Sequence, residues 1–148
     1  MSEILDMPRI VREASEKEGD VYMPIEDSWR EICTTPSVMS RELENQQGVL
    51  EKIALDLQKR GVKHILILGS GDSWFAGMAV CHAFEHYAGI SAIPIQAYEY
   101  AMYGSLIADE NSAVIVISSS GRPTTTWDAL DRALDTEAYV IGISDTYY

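Results

Sequence analysis

Two short stretches of this chain hold the residues best suited to grasping an oxygen-rich anion. One is Gly69-Ser70-Gly71-Asp72-Ser73; the other is Ser118-Ser119-Ser120-Gly121-Arg122-Pro123-Thr124-Thr125-Thr126. Small residues let backbone amides approach a ligand, and hydroxyls both donate and accept hydrogen bonds. A helix starting directly behind each stretch would aim its unpaired N–H groups and positive dipole end at the same place. This suits a phosphate ester with a polyol attached, held without a single lysine. The candidate contacts are Gly71, Asp72, Ser73, Ser118, Ser119, Ser120, Thr124 and Thr126, with Arg122 and Glu99 as further candidates. The alternative is that these serines and threonines merely cap helices.

The surrounding pattern places both stretches at strand ends. His64-Ile65-Leu66-Ile67-Leu68 is a short apolar run closed by Gly69, as expected of a strand buried on both faces of a parallel sheet. Residues 74–87 read as an apolar helix, 92–96 as a second strand and 99–107 as a short helix. Residues 113–117 form a third strand entering the second serine stretch, followed by a helix over 125–134 and a fourth strand over 138–143. Strands and helices alternating at this interval predict right-handed βαβ units in a doubly wound parallel α/β sheet. Ligands of such sheets bind beyond the C-terminal strand ends, at the topological switch point.

Upstream, residues 9–18 suggest a short helix. Thr35-Pro36 reads as an N-cap with proline at the first helical position, predicting a helix over 37–59 or two helices broken near Gln47-Gly48. The organisation expected is an extension over 1–33 and a binding domain over 34–148. No helix follows the fourth strand, so the domain reads as truncated there or covered by another chain.

Composition narrows the partners. The formal net charge of −12 disfavours nucleic acid and anionic membranes, both of which select basic surfaces. Cys33 and Cys81 have no metal-like spacing and read as free thiols. With no apolar leader or membrane span, the expected location is cytoplasmic.

Gly69-Ser-Gly-Asp-Ser-Trp-Phe-Ala-Gly resembles the first phosphosugar loop of the sugar isomerase (SIS) domain family, and residues 117–121 resemble its Ser-x-Ser-Gly loop. Phe84-Glu85 with Ala88-Gly89-Ile90, and Ala97-Tyr98-Glu99-Tyr100, are similar to that family's first helix end and second strand end. The segment around Thr35-Pro36-Ser37-Val38 is similar to the lead-in to the isomerase part of glucosamine-fructose-6-phosphate aminotransferases and related aminosugar isomerases and deaminases. The resemblance spans roughly residues 34–144. It implies that Ser73, Ser118, Ser119 and Ser120 bind phosphate and sugar oxygens, with Thr124 or Thr126 as a further phosphate contact. It also implies an aminohexose or ketohexose 6-phosphate ligand, no cofactor, and a homodimer or second SIS domain as partner. The chain departs from the family at Gly121-Arg122-Pro123-Thr124, where Gly-Glu-Thr is common, so Arg122 brings an unusual charge. Asp72 stands where threonine is frequent, and a carboxylate there would face a sugar hydroxyl or cap the helix. No residue can be assigned as the base or acid that aldose–ketose isomerisation needs, which leaves a non-catalytic sensing module as a rival reading.

Two other signals are weaker. His82-Ala83-Phe84-Glu85-His86 has the H-x-x-E-H spacing of a zinc peptidase helix, but follows a phosphosugar-like turn, and no metal is expected. Gly69-x-Gly71 is shared with nucleotide-binding Rossmann modules, where Glu99 would meet a ribose, but Trp74 occupies the position of the third glycine. Tyr98, Tyr100, Tyr103, Tyr139, Tyr147 and Tyr148 suggest packing at a subunit interface.

Overall fold

The computed structural model of the chain describes residues 8–15 and 24–145. The chain divides into two compact units, Met1–Lys52 and Ile53–Tyr148. The elements are α1 (Arg9–Ser15), α2 (Ile25–Arg60), β1 (His64–Gly69), α3 (Asp72–Ala83), β2 (Ser91–Gln96), α4 (Ala97–Tyr103), β3 (Ser112–Ser118), α5 (Thr124–Leu134) and β4 (Tyr139–Ser144). A single π turn, Phe84–Ala88, extends α3 before Gly89 ends it in the left-handed conformation.

The first unit is helical. α1 carries an exposed Arg9–Glu13 pair one turn apart. The predicted helix start at Thr35-Pro36 is overturned, because α2 begins eleven residues earlier, at Ile25, and runs unbroken through Pro36 and Gly48. Pro36 has no N–H for the Ile32 carbonyl. Around it, hydroxyls bond back into the helix: Thr34 Oγ1 to Arg30 O at 3.0 Å and Thr35 Oγ1 to Glu31 O at 2.7 Å. These are the mid-helix bonds that let Ser and Thr sit where they would otherwise cap. The proposed boundary at residues 33 and 34 falls inside α2.

The second unit is a parallel sheet of order β2-β1-β3-β4 with helices on both faces. Residue alternation divides the core between the faces. On one, Leu66, Leu68, Val114 and Val116 meet Ala97, Tyr100, Ala129 and Ala133 from α4 and α5. On the other, Ile65, Ile67, Ala113 and Ile115 meet Val62, Cys81 and Ala92, with Leu57 and Phe84 packed alongside. Each fully buried Ile or Leu contributes about 1.5–3 kcal/mol, so β1 anchors both layers. Pro94, which cannot donate to a ladder, is on the edge strand β2, where proline is tolerated. Tyr100, expected at an interface, is instead 1% exposed in the core; α4 turns it inward onto Leu66 and Val114. Tyr98 and Tyr103 are exposed, Tyr139 carries the Arg60 guanidinium 5.0 Å above its ring, and Tyr147 and Tyr148 lie outside the described residues. No helix among the described residues is long and apolar enough to cross a membrane.

Candidate functional site

Chain order makes the site. From β1 the connection leads to β2 on one side, and the chain then returns to place β3 on the other. The switch point therefore lies between the C-terminal ends of β1 and β3, the ends that carry the two serine stretches.

At the first end, Gly71 leaves the strand at φ 55°, a conformation glycine adopts without penalty, and α3 starts at Asp72. The Gly71 carbonyl accepts the Trp74 and Phe75 amides at 3.0 and 3.1 Å, locking the first turn of the helix. A Cβ on Gly69 would stand 2.6 Å from the Ser73 carbonyl carbon, so the bare glycine is what lets α3 close down on the strand end.

At the second end, Ser118 Oγ accepts the Gly121 amide at 3.1 Å and Ser120 Oγ accepts the Arg122 amide at 3.4 Å. Gly121 turns with φ 61°, and the Trp127 indole donates to its carbonyl at 2.7 Å, tying the loop to α5. The Ser119 carbonyl accepts the Asp145 amide at 3.2 Å, joining the loop to the end of β4. Neither α3 nor α5 is capped by a side chain at its N-terminus: Gly71 and Pro123 hold the cap positions with no side-chain capping bond. The hydroxyls here serve the loop or face the space between the two turns.

That space is a pocket of about 220 Å³ lined by Ser70, Asp72, Ser73, Ile117, Ser118, Ser119, Ser120, Pro123 and Thr126. Six of the predicted contacts thus converge: Asp72, Ser73, Ser118, Ser119, Ser120 and Thr126. Thr126 is buried, at 5% exposed, while Ser119 and Ser120 are open to solvent. Gly71 shapes the turn without lining the pocket. Thr124 is the exposed first residue of α5, Arg122 is exposed beside the loop, and Glu99 is exposed in the first turn of α4. None of these last three lines the pocket. Ser70, Ile117 and Pro123 are lining residues that sequence reasoning did not single out; their place inside the two strand-end motifs was the available signal.

Asp72 is the one titratable side chain in the lining. The nearby histidines lie elsewhere: His82 Nδ1 is 3.5 Å from Glu85 Oε2, both well exposed where α3 passes into the π turn. Among the described residues, no three His, Cys, Asp or Glu side chains gather as a metal site would require.

Comparisons with known proteins bear on the family and the fold. The SIS domain model matches residues 60–147. A glutamine–fructose-6-phosphate aminotransferase (isomerizing) from Corynebacterium diphtheriae is 27% identical over 136 residues, covering 90% of this chain and 22% of that protein. The enzyme of that name from Bacteroides thetaiotaomicron is 34% identical over 84 residues, 55% of this chain and 13% of its own length. The chain therefore spans about a fifth of the length of the curated relatives it matches. Among solved structures, the C-terminal domain of glucosamine-fructose-6-phosphate aminotransferase from Francisella tularensis superposes with a TM-score of 0.57 at 26% identity, covering 64% of this chain and 26% of that one. Tagatose-6-phosphate ketose/aldose isomerase from Escherichia coli shares the fold, with a TM-score of 0.66 at 18% identity over 78% of this chain and 33% of its own. With the family model matching more than half of its length and the serine turns at the switch point, this chain belongs to the SIS domain family.

Proposed function

We propose that this chain binds a phosphorylated sugar, an aminohexose or ketohexose 6-phosphate, in the pocket between its two serine turns. The observation that carries this reading is the convergence of Ser73 from one strand end with Ser118, Ser119, Ser120 and Thr126 from the other on one small pocket. Two helices, α3 and α5, begin at that pocket, so their N-terminal dipoles favour a phosphate there. The hydroxyls supply donors and acceptors for phosphate and sugar oxygens. The asymmetry between Asp72 on the β1 side and the hydroxyl-rich β3 loop orients the ligand, with phosphate toward Ser118, Ser119 and Ser120 and sugar hydroxyls toward Asp72. A carboxylate repels a phosphate and accepts readily from a hydroxyl.

The binding domain on this reading is residues 34–148, with 1–33 as an extension, in a cytoplasmic protein that assembles with a second copy or a second SIS domain. The names of its relatives support sugar-phosphate isomerisation as the parent activity; aminosugar deamination rests on the loop resemblance alone. Within this chain the pocket offers only Asp72 as a titratable group, which favours binding over turnover and keeps phosphosugar sensing as the second reading.

Isothermal titration of the chain with glucosamine 6-phosphate and fructose 6-phosphate tests the site. Ser73→Ala combined with Ser120→Ala should weaken binding at least tenfold while the melting transition stays cooperative. Unchanged affinity in the folded double variant would remove the serine turns from the site.

A further inference from the structure

Trp127 follows directly on Thr126 in α5, yet it does not line the serine pocket; it lines the apolar groove beside it, with Leu130 and Ile143. The residue is 53% exposed, so its indole N–H could be given to water. It is given instead to the Gly121 carbonyl at 2.7 Å, back across the Pro123 cap of the helix. That distance is at the short end for an N–H···O bond.

The bond falls on a peptide group that is gripped at both ends. The Gly121 carbonyl and the Arg122 amide belong to one planar unit. Its oxygen accepts from Trp127, and its N–H donates to Ser120 Oγ at 3.4 Å. The peptide before it ends in the Gly121 amide, which donates to Ser118 Oγ at 3.1 Å. Gly121 turns at φ 61° with no side chain to restrict it, so hydrogen bonds must select this conformation of the loop. A donor on the carbonyl polarises the peptide and strengthens the bond made by the N–H at its other end. At 3.4 Å that second bond is long, and it needs the support. With the Arg122 N–H on its oxygen, Ser120 keeps its own hydroxyl proton to donate. Ser120 lines the pocket, so it meets a ligand as a donor, the polarity that a phosphate oxygen requires.

We propose that Trp127 is a positioning residue for the phosphate: its indole N–H braces the Gly121–Arg122 peptide and so sets the Ser120 hydroxyl as a donor toward the ligand. This rests on the phosphosugar reading of the pocket. Trp127→Phe keeps an aromatic ring at the groove and removes the donor. Titration with glucosamine 6-phosphate and fructose 6-phosphate should show binding weakened about three- to tenfold, the effect of one lost hydrogen bond, with the melting temperature nearly unchanged. A double-mutant cycle separates bracing from packing. Because Trp127 acts through Ser120, Trp127→Phe should weaken binding less in the Ser120→Ala background than in the parent. In the Ser73→Ala background, at the other strand end, its full effect should remain. Hydrogen exchange in the ligand-free chain needs no sugar phosphate: the Gly121 and Arg122 amides should exchange about tenfold faster in Trp127→Phe, and those of β1 at the parent's rate. Unchanged affinity in Trp127→Phe, full additivity with Ser120→Ala, or unchanged exchange at the two amides would each overturn the proposal. A parent chain that binds no sugar phosphate, with exchange responding as expected, would instead overturn the reading of the pocket and with it the phosphate role of Trp127.

Discussion

Gly69 and Ser73 approach so closely that a side chain on the first would collide with the backbone of the second. A Cβ at Gly69 would lie 2.6 Å from the Ser73 carbonyl carbon and 2.7 Å from the Trp74 nitrogen, and neither atom belongs to a flexible side chain that could swing aside. This contact sets α3 against the end of β1 and so places Ser73 and Asp72 at the pocket rim. Gly69→Ala should cost about 1–3 kcal/mol, the range for forced overpacking, and lower the melting temperature by several degrees. It should also weaken ligand binding by displacing Ser73. Gly48→Ala, where nothing lies within 4 Å, is the contrasting substitution and should be neutral or stabilising by up to about 1 kcal/mol. Equal melting temperatures for Gly69→Ala and the parent would mean that the strand end and helix are looser than this packing describes.

Tyr100 gives a prediction of opposite sign. Its side chain is buried between α4 and the sheet, and its hydroxyl finds no hydrogen-bond partner among the described residues. Burial pushes the phenol above its ordinary value, an effect that the positive charge of Arg132 partly offsets. An unsatisfied buried hydroxyl costs about 1–3 kcal/mol, so Tyr100→Phe should leave stability unchanged or raise it. Chemical denaturation measures this directly, and a loss above about 1 kcal/mol would show that the hydroxyl has a partner in solution.

Asp109 ties the acid limb of stability to the entry of β3. Its Oδ1 lies 2.7 Å from the buried Ser112 hydroxyl and accepts the Asn111 amide at 3.0 Å. The Ser112 hydrogen bond is the main reason its carboxyl titrates below the ordinary value; burial opposes the shift, while the Asn111 amide and the nearby His64 favour it. A carboxyl more acidic when folded contributes stability above its unfolded value, and that contribution disappears as pH falls through the folded one. Asp109→Asn should therefore lower the melting temperature at neutral pH and reduce the further drop on acidification. A parallel pH profile in parent and variant would exclude the linkage.

Thr126 separates binding from folding. It is 5% exposed, lies in the first turns of α5, and faces both the serine pocket and an adjoining apolar groove that includes Trp127 and Ile143. Thr126→Val keeps the shape and removes the hydroxyl. One lost hydrogen bond of about 0.5–1.5 kcal/mol predicts a two- to tenfold weaker sugar phosphate, with little change in melting temperature. An affinity equal to the parent's would assign Thr126 to packing alone.

Much of the second unit could be read from the chain, because its strands carry two signals at once. The run from Ile65 to Leu68 is apolar throughout, as both faces are covered, and it ends in a glycine that packing requires. The serine turns were legible because strand ends in an alternating βαβ pattern must meet at a switch point. The start of α2 was not legible: Thr34, Thr35 and Pro36 have the composition of an N-cap, and only the back-bonds to Arg30 and Glu31 show them inside a helix. Thr124 and Thr126 are both candidates for a phosphate contact in the sequence, and Arg122 is a charge the family motif lacks; with Pro123 at the cap of α5, Thr126 lines the pocket while Thr124 and Arg122 are exposed beside it. Tyr100 looked like an interface residue by composition, and only the inward face of α4 reveals it as core.

The most direct test of the central claim is a thermal-shift comparison of glucosamine 6-phosphate, fructose 6-phosphate and glucose 6-phosphate with inorganic phosphate and NAD. A ligand at a hundred times its dissociation constant adds about 2.7 kcal/mol, a shift of several degrees for a domain of this size. The account predicts selective stabilisation by at least one sugar phosphate and its loss in the Ser73→Ala, Ser120→Ala double variant. Stabilisation by NAD alone, or no shift from any sugar phosphate in a folded sample, would contradict it.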